Sequence, residues 1–159
     1  MATKITYFPK KGQLERSWYV IDLDGMTLGR VASAIAIVLN GKHKPDFIPY
    51  DDNGDFVIAV NASKVKLTGM KMNQKIYYNH SGYPGSLRET SFVEMMKKDP
   101  RRVIELAVRN MLPNNKMRPR LLKKLKVYRG TDHRHTAQKP QPFPEYVFKG
   151  PRAKGTINK

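Results

Sequence analysis

The chain has 159 residues, 40% of them apolar, with a mean hydropathy of −0.59, which suits a soluble single domain able to bury a core. It carries 30 Lys and Arg against 13 Asp and Glu, a formal net charge of +17, and no cysteine, which excludes disulfides, cysteine-ligated zinc and thiol catalysis. The longest apolar run, VASAIAIVL at 31–39, is far short of the ~20 residues that span a bilayer, and the N-terminal MATKITYFPKKGQLERSW lacks the apolar core of a signal peptide.

In chain order, WYVIDL (18–23) predicts a short strand, and DLDG supplies turn chemistry after it. Thr27 is placed to cap a helix over LGRVASAIAIVLN (28–40), ended by Gly41 and apolar nearly all round, so largely buried. DFVIAVNA (55–62) predicts a central strand, completing a βαβ unit. The link GKHKPDFIPYDDNGD is long enough to suggest function, and its Phe47, Ile48 and Tyr50 argue for order. KVKLTG (64–69) alternates like a half-exposed strand or hairpin arm, KIYYNHS (75–81) reads as another strand, and SGYPGS as a loop. Ser91 and Glu94 form a capping box, and Asp99-Pro100 opens a helix that places Ile104, Ala107, Val108 and Met111 on one face. Glu105 and Arg109 are spaced to pair on its other face, and Pro113 stops it. Pro119 opens a short helix, RLLKKLK, before a last strand at VYRG. From Pro140 onward the proline-rich, aperiodic sequence predicts an extended tail.

The charge is unevenly placed. Residues 1–60 hold seven basic and seven acidic residues; the remainder holds 23 against six. Such a chain repels itself unless a polyanion neutralises it, and nucleic acid or an anionic membrane surface are the usual partners. In RLLKKLKVYRGTDHRH (120–135), Leu121, Leu122 and Leu125 make a small apolar stripe without Trp or Phe, which suits core packing better than a membrane interface. His133 and His135 lack the further ligands that a metal requires, and Arg129 and Arg134 beside them repel cations. DDNGD (51–55) has its glycine at the wrong place for a calcium loop and reads as a turn. GMTLGR (25–30) between strand and helix is only a partial match to a dinucleotide fingerprint, but it motivates one alternative, a nucleotide-dependent α/β enzyme. The stretches GKHK, KIYYNHSGY, KVYRG and HRH interleave cations with rings, the pairing that grips phosphate and stacks on bases. No helix-turn-helix, zinc-finger, RRM or KH signature is present, which tilts the reading toward structured RNA recognised by shape.

The blocks WYVIDLDGMTLGRVAS, GKHKPDFIPYDDNGDFVIAVNASKVKLTG, YYNHSGYPG, RVIELAVRNMLP and KLKVYRGTDHRHTAQKP, over about residues 17–143, resemble the bacterial-type large-subunit ribosomal protein thirteen family in content and order. The resemblance implies an α/β/α fold around a mostly parallel sheet of about four strands, binding to large-subunit ribosomal RNA, early subunit assembly, and no catalytic activity or cofactor. By position, the family's motifs fall on Gly41, Lys42, His43 and Lys44; on Tyr78, His80, Ser81, Gly82 and Tyr83; and on Lys124, Lys126, Tyr128, Gly130, His133, His135, Ala137 and Gln138. Met117-Arg118-Pro119 replaces a usual Leu-Gly-Arg step, and Arg134 replaces a common proline. Lys71, Lys75, Arg109, Lys116, Arg118, Arg120, Lys123, Arg129, Arg134 and Lys139 complete the candidate RNA-facing set. The expected organisation is one RNA-binding domain over 1–143 and a tail over 144–159. Expected partners are large-subunit ribosomal RNA and neighbouring ribosomal proteins, with no membrane, metal or small-molecule substrate. The expected location is the cytoplasm, in the ribosome, an organellar ribosome being compatible as well.

Overall fold

A computed structural model describes residues 15–149; residues 1–14 and 150–159, including most of the expected tail, lie outside the described residues. Strand β1 (Trp18–Asp22) leads into helix α1 (Leu28–Asn40) and then β2 (Phe56–Val60). A short α2 (Lys71–Gln74) precedes the hairpin of β3 (Ile76–Asn79) and β4 (Arg88–Ser91). Helices α3 (Phe92–Lys98), α4 (Pro100–Met111) and α5 (Arg118–Lys123) follow, then β5 (Leu125–Val127), β6 (Gln141–Pro142) and α6 (Tyr146–Lys149).

The main sheet has the order β5-β2-β1-β6, and every pairing in it is parallel. Trp18 stands opposite Phe56 and Asp22 opposite Val60. Strand alternation therefore puts Tyr19, Ile21, Val57, Ala59, Leu125 and Val127 on one face, and these belong to the core cluster with the buried side of α1 and α4. Helix α1 touches β2, α4, α5 and α6, so the helices gather over this face. On the opposite face Trp18 and Phe56 stack at 4.3 Å, and the chain after β5 folds back to lay His135 against Trp18. The parallel α/β sheet of four strands is as the resemblance implied, with irregular chain serving on this second face.

Local chemistry explains the main boundaries. Helix α1 buries Leu28, Val31, Ala32, Ala34, Ile35, Ala36, Val38 and Leu39. It ends as a Schellman motif: Gly41, at φ +81°, donates its N–H to Val38 and Lys42 donates to Ile37. The Thr27 side chain makes no cap bond; its backbone forms a single bridge to Lys66. Ser91 Oγ accepts from Glu94 N–H, and Asp99 accepts from Arg101 N–H ahead of Pro100, as the caps predicted.

Several local expectations shift. Residues 62–64 form a 3₁₀ turn, so 64–69 is not a strand, although Val65 is buried and Lys64 and Lys66 are exposed. On α4 the buried face is Val103, Ile104 and Val108; Met111 is 46% exposed because it lies at the last turn, beyond the layer it was expected to join. No described ion pair joins Glu105 to Arg109; the Glu105 charge acts on Arg101 one turn earlier. The last strand starts two residues early, at Leu125. The chain from Pro140 does not run free: Gln141–Pro142 pairs with β1, and Phe143 and Val147 pack on the core. Pro142 has no N–H, which suits an edge strand and blunts that edge.

Gly54 marks the tightest crossing. A Cβ there would lie 1.6 Å from the Leu39 carbonyl oxygen, where the end of α1 meets the entry to β2. Gly85, at φ +73°, has open space around it. Gly54→Ala is therefore expected to cost more than about 3 kcal/mol in urea unfolding, and Gly85→Ala only about 1 kcal/mol, from backbone strain alone.

Candidate nucleic-acid interface

The strands start at a buried charge cluster. Asp55, whose side chain has no exposure, immediately precedes β2. It accepts hydrogen bonds from Ser17 N–H at 2.9 Å, His43 Nε2–H at 2.8 Å and Lys44 Nζ at 2.6 Å. A carboxylate only accepts, so the His43 proton sits on Nε2, and the buried Nδ1 has no partner. Beside it, Lys124 Nζ pairs with Asp52 and donates to the Gly54 carbonyl at 2.8 Å. Arg16 reaches Asp52 from outside.

This geometry corrects part of the expected RNA-facing set. Lys124 is 4% exposed, and the His43 side chain is equally enclosed. Lys44 Nζ pairs with Asp55 and gives a second hydrogen bond to the Glu15 carbonyl. Gly41 is the α1 cap. The basic GKHK motif therefore points inward except at Lys42, because the Asp55 carboxylate needs compensating donors more than a surface needs charge.

The remaining candidates lie outside. Lys42, Lys71, Arg109, Lys116, Arg120, Lys123, Arg129, Arg134, Gln138 and Lys139 are exposed; Lys75, Arg118 and Lys126 are half-buried. Among the described residues, the only candidates in ion pairs are His43, Lys44 and Lys124. The others have no carboxylate to answer them.

The β3–β4 hairpin carries a second group. Its loop turns on Gly82 at φ +97° and Gly85 at φ +73°. His80 Nδ1 accepts from Gly82 N–H at 2.9 Å, and Ser86 Oγ accepts from Ser81 N–H at 3.3 Å. Tyr78 and Tyr83 stand 63% and 75% exposed. The third group follows β5: His135 lies 5.1 Å from Trp18 and 6.0 Å from Tyr128, and Tyr128 lies 6.4 Å from His133. These half-buried rings fix the shape of a loop whose Arg129 and Arg134 remain exposed.

The GMTLGR loop lacks the features of a phosphate cradle. Asp22 accepts from Asp24 N–H and from Asn61 Nδ2, and the Asn61 bond chiefly holds its carboxyl below the usual range. Asp24 pairs with Lys64 at 2.7 Å, and Leu28 N–H is taken by the Lys66 carbonyl. With the Asp24 and Leu28 N–H groups bonded within the protein, the loop offers no ready phosphate cradle, and the enzyme alternative has no support. Among the described residues no group of three metal-ligating side chains occurs, and no helix is long and apolar enough to cross a membrane.

Sequence reasoning missed Tyr77, Asn79, Arg88, Lys98 and Arg102, which face one another across a groove between the hairpin and α3–α4. The strand RETS (88–91) has no hydrophobic alternation, so nothing in it announced a second hairpin arm.

A parallel α/β frame with unanswered cations on its loops defines a polyanion-binding protein of the structured-RNA class. The family model for ribosomal protein L13 matches residues 16–134, and the chain belongs to that family. It is 56% identical over 138 residues to the large ribosomal subunit protein uL13 of Salinispora arenicola, covering 87% of this chain and 94% of that one. The uL13 proteins of Symbiobacterium thermophilum and Brevibacillus brevis are 53% and 54% identical over the same length, with 96% and 95% of each covered.

Burial works against the Asp55 charge, but His43, Lys44 and Ser17 outweigh it and hold its carboxyl below the usual value. A group depressed in the folded state stabilises above its unfolded pKa, and that contribution disappears as pH falls through the folded one. Thermal stability is expected to fall on acidification below about pH 4. In Asp55→Asn the acid limb should flatten, with a loss of about 3 kcal/mol at neutral pH, measured by denaturant titration.

Proposed function

We propose that this protein is a structural constituent of the large ribosomal subunit, located in the ribosome, where it binds and clamps folded large-subunit RNA and supports early assembly. The observation that carries the reading is the set of exposed cations without carboxylate partners on the hairpin and the segments around α5 and β5. Membership of the ribosomal protein L13 family supports the same reading. The role is structural, not catalytic. Lys and Arg displace counterions from phosphates, and the loops fill the space between RNA helices that otherwise repel. The proposed contact set is Lys42, Lys71, Lys75, the Tyr78–Tyr83 loop, Arg109, Lys116, Arg118, Arg120, Lys123, Lys126 and the segment from Tyr128 to Lys139. His43, Lys44 and Lys124 are left out, since their side chains serve the interior. Neighbouring ribosomal proteins are the second class of partner.

The test is binding of the purified chain to large-subunit RNA fragments and to unrelated RNA of equal length, across a salt series. Fragment-selective binding with a log–log salt slope of about −6 to −7, for roughly eight neutralised phosphates, is the expected result. Equal binding to every RNA would overturn the clamp. Reversing charge at Lys116, Arg120 and Lys123 together should make the slope shallower by about 3, while the melting temperature barely moves, since surface changes cost within about 0.5 kcal/mol. Lys124 must stay intact in that variant.

A further inference from the structure

An open groove of about 730 Å³ separates the β3–β4 hairpin from α3 and α4. The hairpin register decides what faces it. Tyr77 stands opposite Thr90 and Asn79 opposite Arg88, and alternation puts these four on the groove side. Lys75 joins them, its Nζ 5.1 Å from the Tyr77 ring centre. Tyr78 and its partner Glu89 belong to the other face. The facing wall is a stripe of α4, Arg102, Leu106 and Arg109, at the i, i+4 and i+7 spacing of one helix side. Met95 and Lys98 of α3 lie beside it.

Two features of this lining select its occupant. The first is charge. Among the described residues none of Lys75, Arg88, Lys98, Arg102 and Arg109 is in an ion pair. Asp99 also lines the groove but is bound by Arg101 at 2.9 Å, which leaves Glu94 to oppose an anion. The second is an apolar floor. Tyr77 and Met95 pack on the core, and Leu106, half-buried between Arg102 and Arg109, lies outside the described core cluster. An RNA strand satisfies the cations but brings no aliphatic group to Leu106 and Met95, and the groove side carries no free ring for a base to stack on. A protein segment brings carboxylates and aliphatic side chains together.

We propose that this groove docks an extended acidic segment of another protein, with its carboxylates on Arg88 and Arg102 and an aliphatic side chain on Leu106. From Arg102 to Arg109 the helix rises about 10 Å, the span of roughly three extended residues. The recognised unit is therefore short, an apolar residue flanked by acidic ones. The inference rests on the reading above in one respect: it gives the protein class of partner a site and a chemistry. Arg88, Lys98 and Arg102 lie outside the RNA contact set proposed there.

The test uses the full chain at low salt and a labelled hexapeptide of two leucines flanked by four glutamates, read by fluorescence anisotropy. Unlabelled competitors are the same peptide with glycines for leucines and an RNA oligonucleotide of equal charge. The leucine peptide is expected to bind and to compete about tenfold better than either. Arg88→Glu/Arg102→Glu should weaken it about tenfold, and Lys116→Glu/Lys123→Glu should leave it unchanged. Leu106→Gln should erase the preference for leucine over glycine. Arg102 is exposed, so Arg102→Glu alone keeps the site testable if another variant fails to fold. Equal competition by the glycine peptide would overturn the proposal, since charge alone would then explain binding. Stronger competition by the RNA, or unchanged affinity in the charge-reversed variants, would overturn it too. In each of these cases fragment-selective binding to large-subunit RNA would leave the RNA clamp standing. Loss of that selectivity in the unaltered chain would overturn the clamp and leave the peptide result intact.

Discussion

The structure depends on how one buried carboxylate is kept charged. Asp55 has no access to water, and three donors from two separate parts of the chain make its ionised form tolerable: the Ser17 N–H before β1, and His43 and Lys44 in the loop after α1. Asp52 binds Lys124, the residue before β5, in the same way. The starts of three neighbouring parallel strands are therefore joined by charge at the place where the hydrophobic layer ends. This arrangement also bears on function. Asp24 and Asp52 answer only Lys64 and Lys124 of the basic second half of the chain. Among the described residues Asp55 is the only buried acidic one, and the surface is cationic because Lys and Arg outnumber Asp and Glu by 30 to 13.

The second face of the sheet shows a different economy of structure. Its coverage includes an irregular segment held by rings, with Phe56, Trp18, His135, Tyr128 and His133 following one another in contact. An irregular cover leaves backbone and cations exposed in a way that a helix would not. Because the rings are anchored to β1 and β2, a loop of this composition keeps a defined shape, and the ordering cost of binding is lowered in advance.

The elements with strong periodicity or explicit caps were legible in the sequence. Helix α1 with its Gly41 stop, the Ser91 and Asp99 caps and the central β2 strand all follow from local chemistry that tertiary contacts reinforce. What escaped was set by distant partners. Lys124 sits in a run of cations and is indistinguishable from Lys123 by composition; only the position of Asp52, seventy-two residues earlier, sends it inward. His43 and Lys44 look like phosphate ligands until Asp55 is seen to claim them. β4 was invisible because a two-stranded arm needs only backbone partners, and β6 because two residues carry no pattern at all. The βαβ pattern supplied the parallel pairing of β1 with β2, and the resemblance to a ribosomal family supplied the parallel sense of the rest of the sheet.

The place of β6 beside β1 also shapes how the chain is made. Strand β1 gains its first neighbour when residue 60 has been synthesised, but its second only at residue 141. At roughly 5–20 residues per second, the far edge stays open for several seconds of synthesis. During that interval β1 presents an unpaired backbone edge, and closing it requires one of the longest loop closures in the molecule. A chain this basic emerges into surroundings crowded with RNA, so its nascent form carries both an unfilled sheet edge and a growing positive charge. Charge repulsion between such chains opposes edge-to-edge association during the period when the fold is least able to prevent it by pairing.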